Sequence, residues 1–105
     1  MRIVKLCQYL DQKPGVSRTL GNQLLRSGTS IGANIEEAKA AQSRADFITK
    51  CTIAQKEARE THYWLRLLAA TEVVPLERIA SLLTETEQMT RIVAAIIVAA
   101  RKNAN

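Results

Sequence analysis

The sequence predicts an all-α chain folded as an up-down four-helix bundle with a short first helix. Three observations predict it. Leu20, Leu24, Gly28, Ile31, Ile35 and Ala38 recur at steps of three and four, the spacing of one helical face. Helix-stopping signals are few and well separated: Pro14-Gly15, the Ser43-x-x-Asp46 arrangement and Pro75 divide the chain into four periodic segments. Aromatic residues make up only 4% of the chain, so the core must come from Leu, Ile, Val and Ala, and no segment shows the apolar–polar alternation of a strand.

Each element follows in order, within one domain of 105 residues. Helix one is expected at about residues 2–11, with Ile3, Leu6, Cys7 and Leu10 as its apolar stripe. Ser17 fits the N-cap of helix two, about 17–41. Gly28 and Gly32 lie inside that helix, each costing roughly 1 kcal/mol against Ala. Close approach of a neighbouring helix would offset that cost. Ser43 caps helix three, about 44–71, whose inward face is Phe47, Cys51, Ala54, Ala58, Thr61 or His62, Leu65 and Leu68. Pro75 suits the first turn of helix four, about 75–102, with Ile79, Leu82, Leu83, Thr86, Met89, Val93, Ile96, Ile97 and Ala100 inward. From Ile92 to Ala100 that helix is apolar all round, and such a helix is normally buried. A homo-oligomer is therefore expected, with Trp64, Ile92, Ile96 and Ala99 at its interface.

The formal net charge of +5 and pI near 9.6 favour acidic partners, DNA or RNA first. The charge is spread, with no run of Lys and Arg. Arg26, Lys39, Arg44, Lys50, Arg91, Arg101 and Lys102 are the phosphate-contact candidates. Few aromatics disfavour base stacking, so duplex or structured RNA is the expected nucleic acid. A protein-binding adaptor with an incidental basic surface is the competing class.

Enzyme chemistry finds little support. Glu36, Glu37, Glu57 and Glu60 evoke a metal-dependent bundle enzyme, a distant alternative. Yet His62 follows Glu60 by two residues and Arg59 by three, so no Glu-x-x-His pair exists, and one His cannot supply two ligands. Ion pairing with Arg26, Lys39, Lys56, Arg59 and Arg66 is the expected fate of these acids. Cys7 and Cys51 are isolated and read as core thiols. No nucleophile–base pair is legible, and Gly28-Thr29-Ser30-Ile31-Gly32 lacks the lysine and preceding strand of a phosphate loop. A helix-turn-helix over Gln23–Ile35 would have Thr29-Ser30 as cap and Asn34 at the major groove, but the helical period runs through Gly28 unbroken. No catalytic residue, metal, cofactor or small-molecule substrate is expected. The longest apolar run has nine residues and nothing reads as a signal peptide, so no membrane partner and a cytoplasmic location are expected.

Arg26-Ser27-Gly28-Thr29-Ser30-Ile31-Gly32-Ala33-Asn34-Ile35-Glu36 resembles the R-S-x-x-S-I-x-x-N-I-x-E hallmark of the bacterial four-helix bundle proteins also called 23S rRNA intervening-sequence proteins. Phe47, Ile53-Ala54, Glu60 and Leu65 are similar to that family's third-helix pattern, and the likeness spans roughly residues 16–100. It implies a homopentamer and kinship with the accessory protein of diversity-generating retroelements, a basic pentameric barrel that binds nucleic acid and a reverse transcriptase. The family name reflects genes lying inside rRNA intervening sequences. Arg26, Ser27, Ser30, Ile31, Asn34, Ile35, Glu36 and Glu60 carry the motif; Asn34, Glu36 and Glu60 are expected to hold helices two and three together. Lys56-Glu57 stands where the family usually has Gly-Ser, Glu37-Ala38 where many members have Glu-Gly, and the first helix is shorter at its N-terminus.

Overall fold

The apolar stripes assemble into four antiparallel helices: α1 (Arg2–Asp11), α2 (Val16–Lys39), α3 (Arg44–Ala70) and α4 (Leu76–Lys102). The computed structural model describes residues 2–103. The molecule measures 50 × 21 × 18 Å, a single up-down four-helix bundle.

Local chemistry sets the helix ends. The Ser43 hydroxyl accepts from the Asp46 amide at the start of α3, as its spacing suggests. Ser17 does not cap α2; Gly15 takes the position before Val16, with a positive φ of 86° that its missing Cβ permits. Pro75 is the residue before α4 rather than its first member. The end of α3 closes through amides of Glu72 and Val73 onto the carbonyls of Ala69 and Leu68, with Glu72 at φ 59° in the left-handed position that glycine usually takes. That reversal buries Val74 completely and sends the chain back along α3.

Length divides the bundle into two halves. A helix rises about 1.5 Å per residue, so α1, with 10 residues, reaches about 15 Å while α4, with 27, reaches about 40 Å. Where α1 is present, Ile3, Cys7 and Leu10 complete a core with Leu24, Leu65, Leu68, Val74, Ile79 and Leu82. Burial pushes the Cys7 thiol up to about 11, which keeps it neutral there. Beyond α1 the core is three-helical and smaller: Ala38, Cys51, Val93 and Ile97, flanked by Phe47, Ile48 and Met89. Between the halves lies a layer of small side chains, Ser27, Ala58, Thr61 and Thr86, all buried. Thr61 donates to the Glu57 carbonyl at 2.8 Å, its hydroxyl lies 3.0 Å from that of Ser27, and Thr86 donates to the Leu82 carbonyl. No buried side-chain polar atom is left without a partner among the described residues.

The glycines show what the short helix does. A Cβ on Gly21 would sit 2.9 Å from the Leu10 Cβ, and one on Gly28 would sit 2.8 Å from the Ile3 Cγ2. These two positions must be bare for α1 to lie against α2. Gly32, one turn farther on, has nothing within 4 Å. The close approach expected of both mid-helix glycines is therefore found at Gly28 only.

Candidate nucleic-acid interface

Helical spacing gives α3 two opposite flanks on either side of its core residues Ala58, Thr61 and Leu65. One flank carries Glu57, Glu60 and Trp64 and faces α2. There the Arg26 guanidinium bridges both carboxylates, with Glu57 at 3.3 Å, and the Trp64 indole donates to Glu60 at 3.2 Å. Two carboxylates around one guanidinium, with Glu57 only 14% exposed, form a closed charge network along the α2–α3 seam.

The other flank carries Arg59, His62 and Arg66 and faces α4, which contributes Glu87, Thr90 and Arg91. These six residues line a solvent-open cleft of about 380 Å³. Glu87 accepts from Arg91 at 2.5 Å, and Thr90 donates to the Thr86 carbonyl at 2.9 Å. Arg59 and Arg66 form no ion pair among the described residues. Arg66 instead stacks over the Tyr63 ring, 5.8 Å from its centroid, which restrains the guanidinium at the cleft edge. Tyr63 in turn meets Trp64 edge-on at 5.0 Å. The cleft thus presents three guanidiniums and one imidazole against one carboxylate.

A second surface lies between α2 and α4. Ile35, Met89, Ile92, Val93 and Ile96 line an apolar groove between α2 and α4, with Glu85 and Gln88 on its edge. Ile92 is 60% and Ile96 41% exposed. The inward position expected for Ile96 is not observed; with only three helices at this level, α4 turns that residue to the groove.

Residues 1–95 match the sequence model of the 23S rRNA-intervening sequence protein family. The chain belongs to that family. It is also similar to a solved structure, a protein of unknown function from the S23 ribosomal protein family of Bacteroides thetaiotaomicron. The two are 50% identical, the match covers 91% of this chain and 88% of the other, and the TM-score is 0.84. No curated protein matches.

In this intervening-sequence protein the hallmark residues divide among several tasks. Arg26, Ser27 and Glu60 tie α2 to α3, and Ile31 is buried in the bundle. Asn34 donates to the Ser30 carbonyl of its own helix at 2.9 Å, and Glu36 pairs with Lys39 of its own helix at 3.2 Å. Neither crosses to α3, because the flank of α2 that faces α3 at that level is occupied by the Glu37–Lys50 pair at 2.8 Å. That pair raises the Lys50 pKa, through its hydrogen bond and charge attraction to Glu37.

The seven basic residues that the sequence nominates are therefore dispersed. Arg26, Lys39 and Lys50 are ion-paired along α2 and α3, and Arg91 holds Glu87 in the cleft. Arg44 binds the Asn103 carbonyl, linking the start of α3 to the end of α4, where Arg101 and Lys102 occupy the last turn and complement its dipole. The four residues nominated for a self-interface also separate: Ile92 and Ile96 line the α2–α4 groove and Ala99 lies beyond them on α4, while Trp64 packs beside the α1-side core. Arg59, His62 and Arg66 were missed as a group. Their spacing of three and four is legible as one face, but only the packing shows that this face looks away from Glu57 and Glu60.

Among the described residues no three His, Cys, Asp or Glu side chains converge as a metal cage, and no helix is long and apolar enough to cross a membrane.

Proposed function

We propose that this protein is a non-enzymatic, self-associating binding module that contacts nucleic-acid phosphates through the α3–α4 cleft. One observation carries the reading: Arg59, His62, Arg66 and Arg91 share one open cleft with a single carboxylate, while Arg26, Lys39 and Lys50 of α2 and α3 already have carboxylate partners. Unpaired guanidiniums are the groups best suited to phosphate oxygens, because their fixed fork of donors matches the anion. No Phe, Tyr or Trp lines the cleft, so the contact is to phosphate and not to base identity.

The α2–α4 groove and the exposed Ile92, Ile96 and Val98 of α4 support self-association. Repeating the cleft around a symmetry axis multiplies a net +5 per chain into a field that steers polyanions. A cytoplasmic location is part of the same proposal.

The test is fluorescence anisotropy with a labelled RNA hairpin and a labelled DNA duplex, each titrated across salt concentrations. Binding that weakens steeply with salt supports the phosphate reading. Absence of binding to either probe at low salt refutes it and favours the adaptor class, for which the apolar groove would be the partner's seat.

A further inference from the structure

We infer that the α3–α4 cleft takes a terminal phosphate, a phosphomonoester or diphosphate group, at the 5′ end of an RNA strand or on a free nucleotide. This deepens the phosphate-contact proposal and rests on it for the RNA source only.

Charge is the first reason. Three permanently charged guanidiniums face one carboxylate, leaving two positive charges in excess before His62 is counted. An internal phosphodiester carries one negative charge, whereas a phosphomonoester carries about −1.5 to −2 near neutral pH. The dianion matches the excess and the diester does not.

Geometry is the second reason. Arg59, His62 and Arg66 occupy successive turns of α3, and Arg91 stands opposite on α4, so donors approach from two walls. An end group with three free oxygens can be bonded from both walls at once. A diester offers only two free oxygens, with sugars attached on either side. The volume of about 380 Å³ suits a phosphate or diphosphate with room for its sugar. Pre-positioning is the third reason. Arg66 is stacked on Tyr63 and Arg91 is held by Glu87, so two of the three guanidiniums are restrained before any ligand arrives.

The basic notch between α1 and α4 makes a useful contrast. It is lined by Arg2, Lys5, Tyr9 and Arg78, but Arg2 is bound to Glu85 and Ser81, and Arg78 and Lys13 both lie over the Tyr9 ring. It holds two guanidiniums, Arg2 and Arg78, against the three of the α3–α4 cleft.

The experiment compares one 3′-labelled RNA hairpin in its 5′-phosphate and 5′-hydroxyl forms, with inorganic pyrophosphate and ADP as competitors. Wild type is set beside R59Q/R66Q and beside R18Q, which removes a charge from an exposed Arg18–Asp11 pair at the N-terminal end of α2, outside the cleft lining. Arg59 and Arg66 are exposed, and circular dichroism verifies that the double variant is folded. The expected result is about tenfold or greater preference for the 5′-phosphate form, displacement by pyrophosphate, and loss of the preference in R59Q/R66Q but not in R18Q. Pyrophosphate or ADP binding without RNA binding supports the site with a free nucleotide as source, and removes the nucleic-acid reading. Equal affinity for the two RNA ends overturns the terminal-phosphate site while leaving nucleic-acid contact intact. A preference that survives in R59Q/R66Q also overturns it, and no binding of any probe overturns both.

Discussion

The two flanks of α3 use the same residue types to opposite ends. On the α2 side, Arg26 is enclosed by Glu57 and Glu60, and Trp64 adds a hydrogen bond to the same carboxylate. On the α4 side, Arg59 and Arg66 stand without carboxylate partners beside Arg91 and His62. The first arrangement satisfies charge within the fold and holds two helices in register. The second leaves positive charge unspent, which adds nothing to folding and is available to an anion. A basic residue in sequence therefore says little about function until its pairing is known.

The comparison can be broken most forcefully by moving charge. R59Q/R66Q is expected to lower RNA-hairpin affinity at least about tenfold, whereas K39Q/K50Q, at paired positions, changes it by less than about threefold. Anisotropy at one low salt concentration measures both. Equal losses would mean that pairing does not decide which cations reach the ligand.

Stability sharpens the contrast from the other side. Truncating the seam residue Arg26 to Ala should cost about 1 kcal/mol by urea denaturation, because it strands a largely buried Glu57. Arg66→Ala should stay within about 0.5 kcal/mol, as expected of an exposed side chain outside a network. A middle-sized effect comes from E57Q/E60Q, which frees Arg26: stability should fall by several tenths of a kcal/mol while RNA affinity rises modestly. If affinity does not rise, the position of Arg26 rather than its pairing keeps it from the ligand.

The smallest expected effect is on pH dependence. Lys50 has its pKa raised above 10.5 by Glu37, so the pair contributes its stability below pH 10.5 and loses it as pH climbs through the folded value. Alkaline denaturation of Glu37→Gln should lack this small decline. The cleft has no such carboxylate beside Arg59 or Arg66, and substitutions there should leave the alkaline limb unchanged.

Much of the architecture was legible in the sequence because helical periodicity is a local signal. The stripes Ile3–Cys7–Leu10, Leu24–Ile31–Ala38 and Ile79–Leu82–Val93–Ile97 are buried as their spacing predicts. Ser43 was legible because a cap acts within one turn. Gly32 was not, since whether a neighbour covers a glycine depends on packing in space and not on its place in the stripe. The pairing of cations was equally hidden. Arg59 is flanked by Glu57 and Glu60 in sequence and still pairs with neither, because pairing depends on the rotation of α3 about its axis. That rotation is fixed by burial of Ala54, Ala58, Thr61, Leu65 and Leu68, and it alone separates the acidic flank from the basic one.

The most direct test of the account is an NMR titration of the arginine side chains with the RNA hairpin, following each Nε–Hε resonance. Arg59, Arg66 and Arg91 are expected to shift together and saturate, while Arg26 does not move. Shifts at Arg26, with Arg59 and Arg66 unchanged, would contradict it and move the interface from the α3–α4 cleft to the α2–α3 seam.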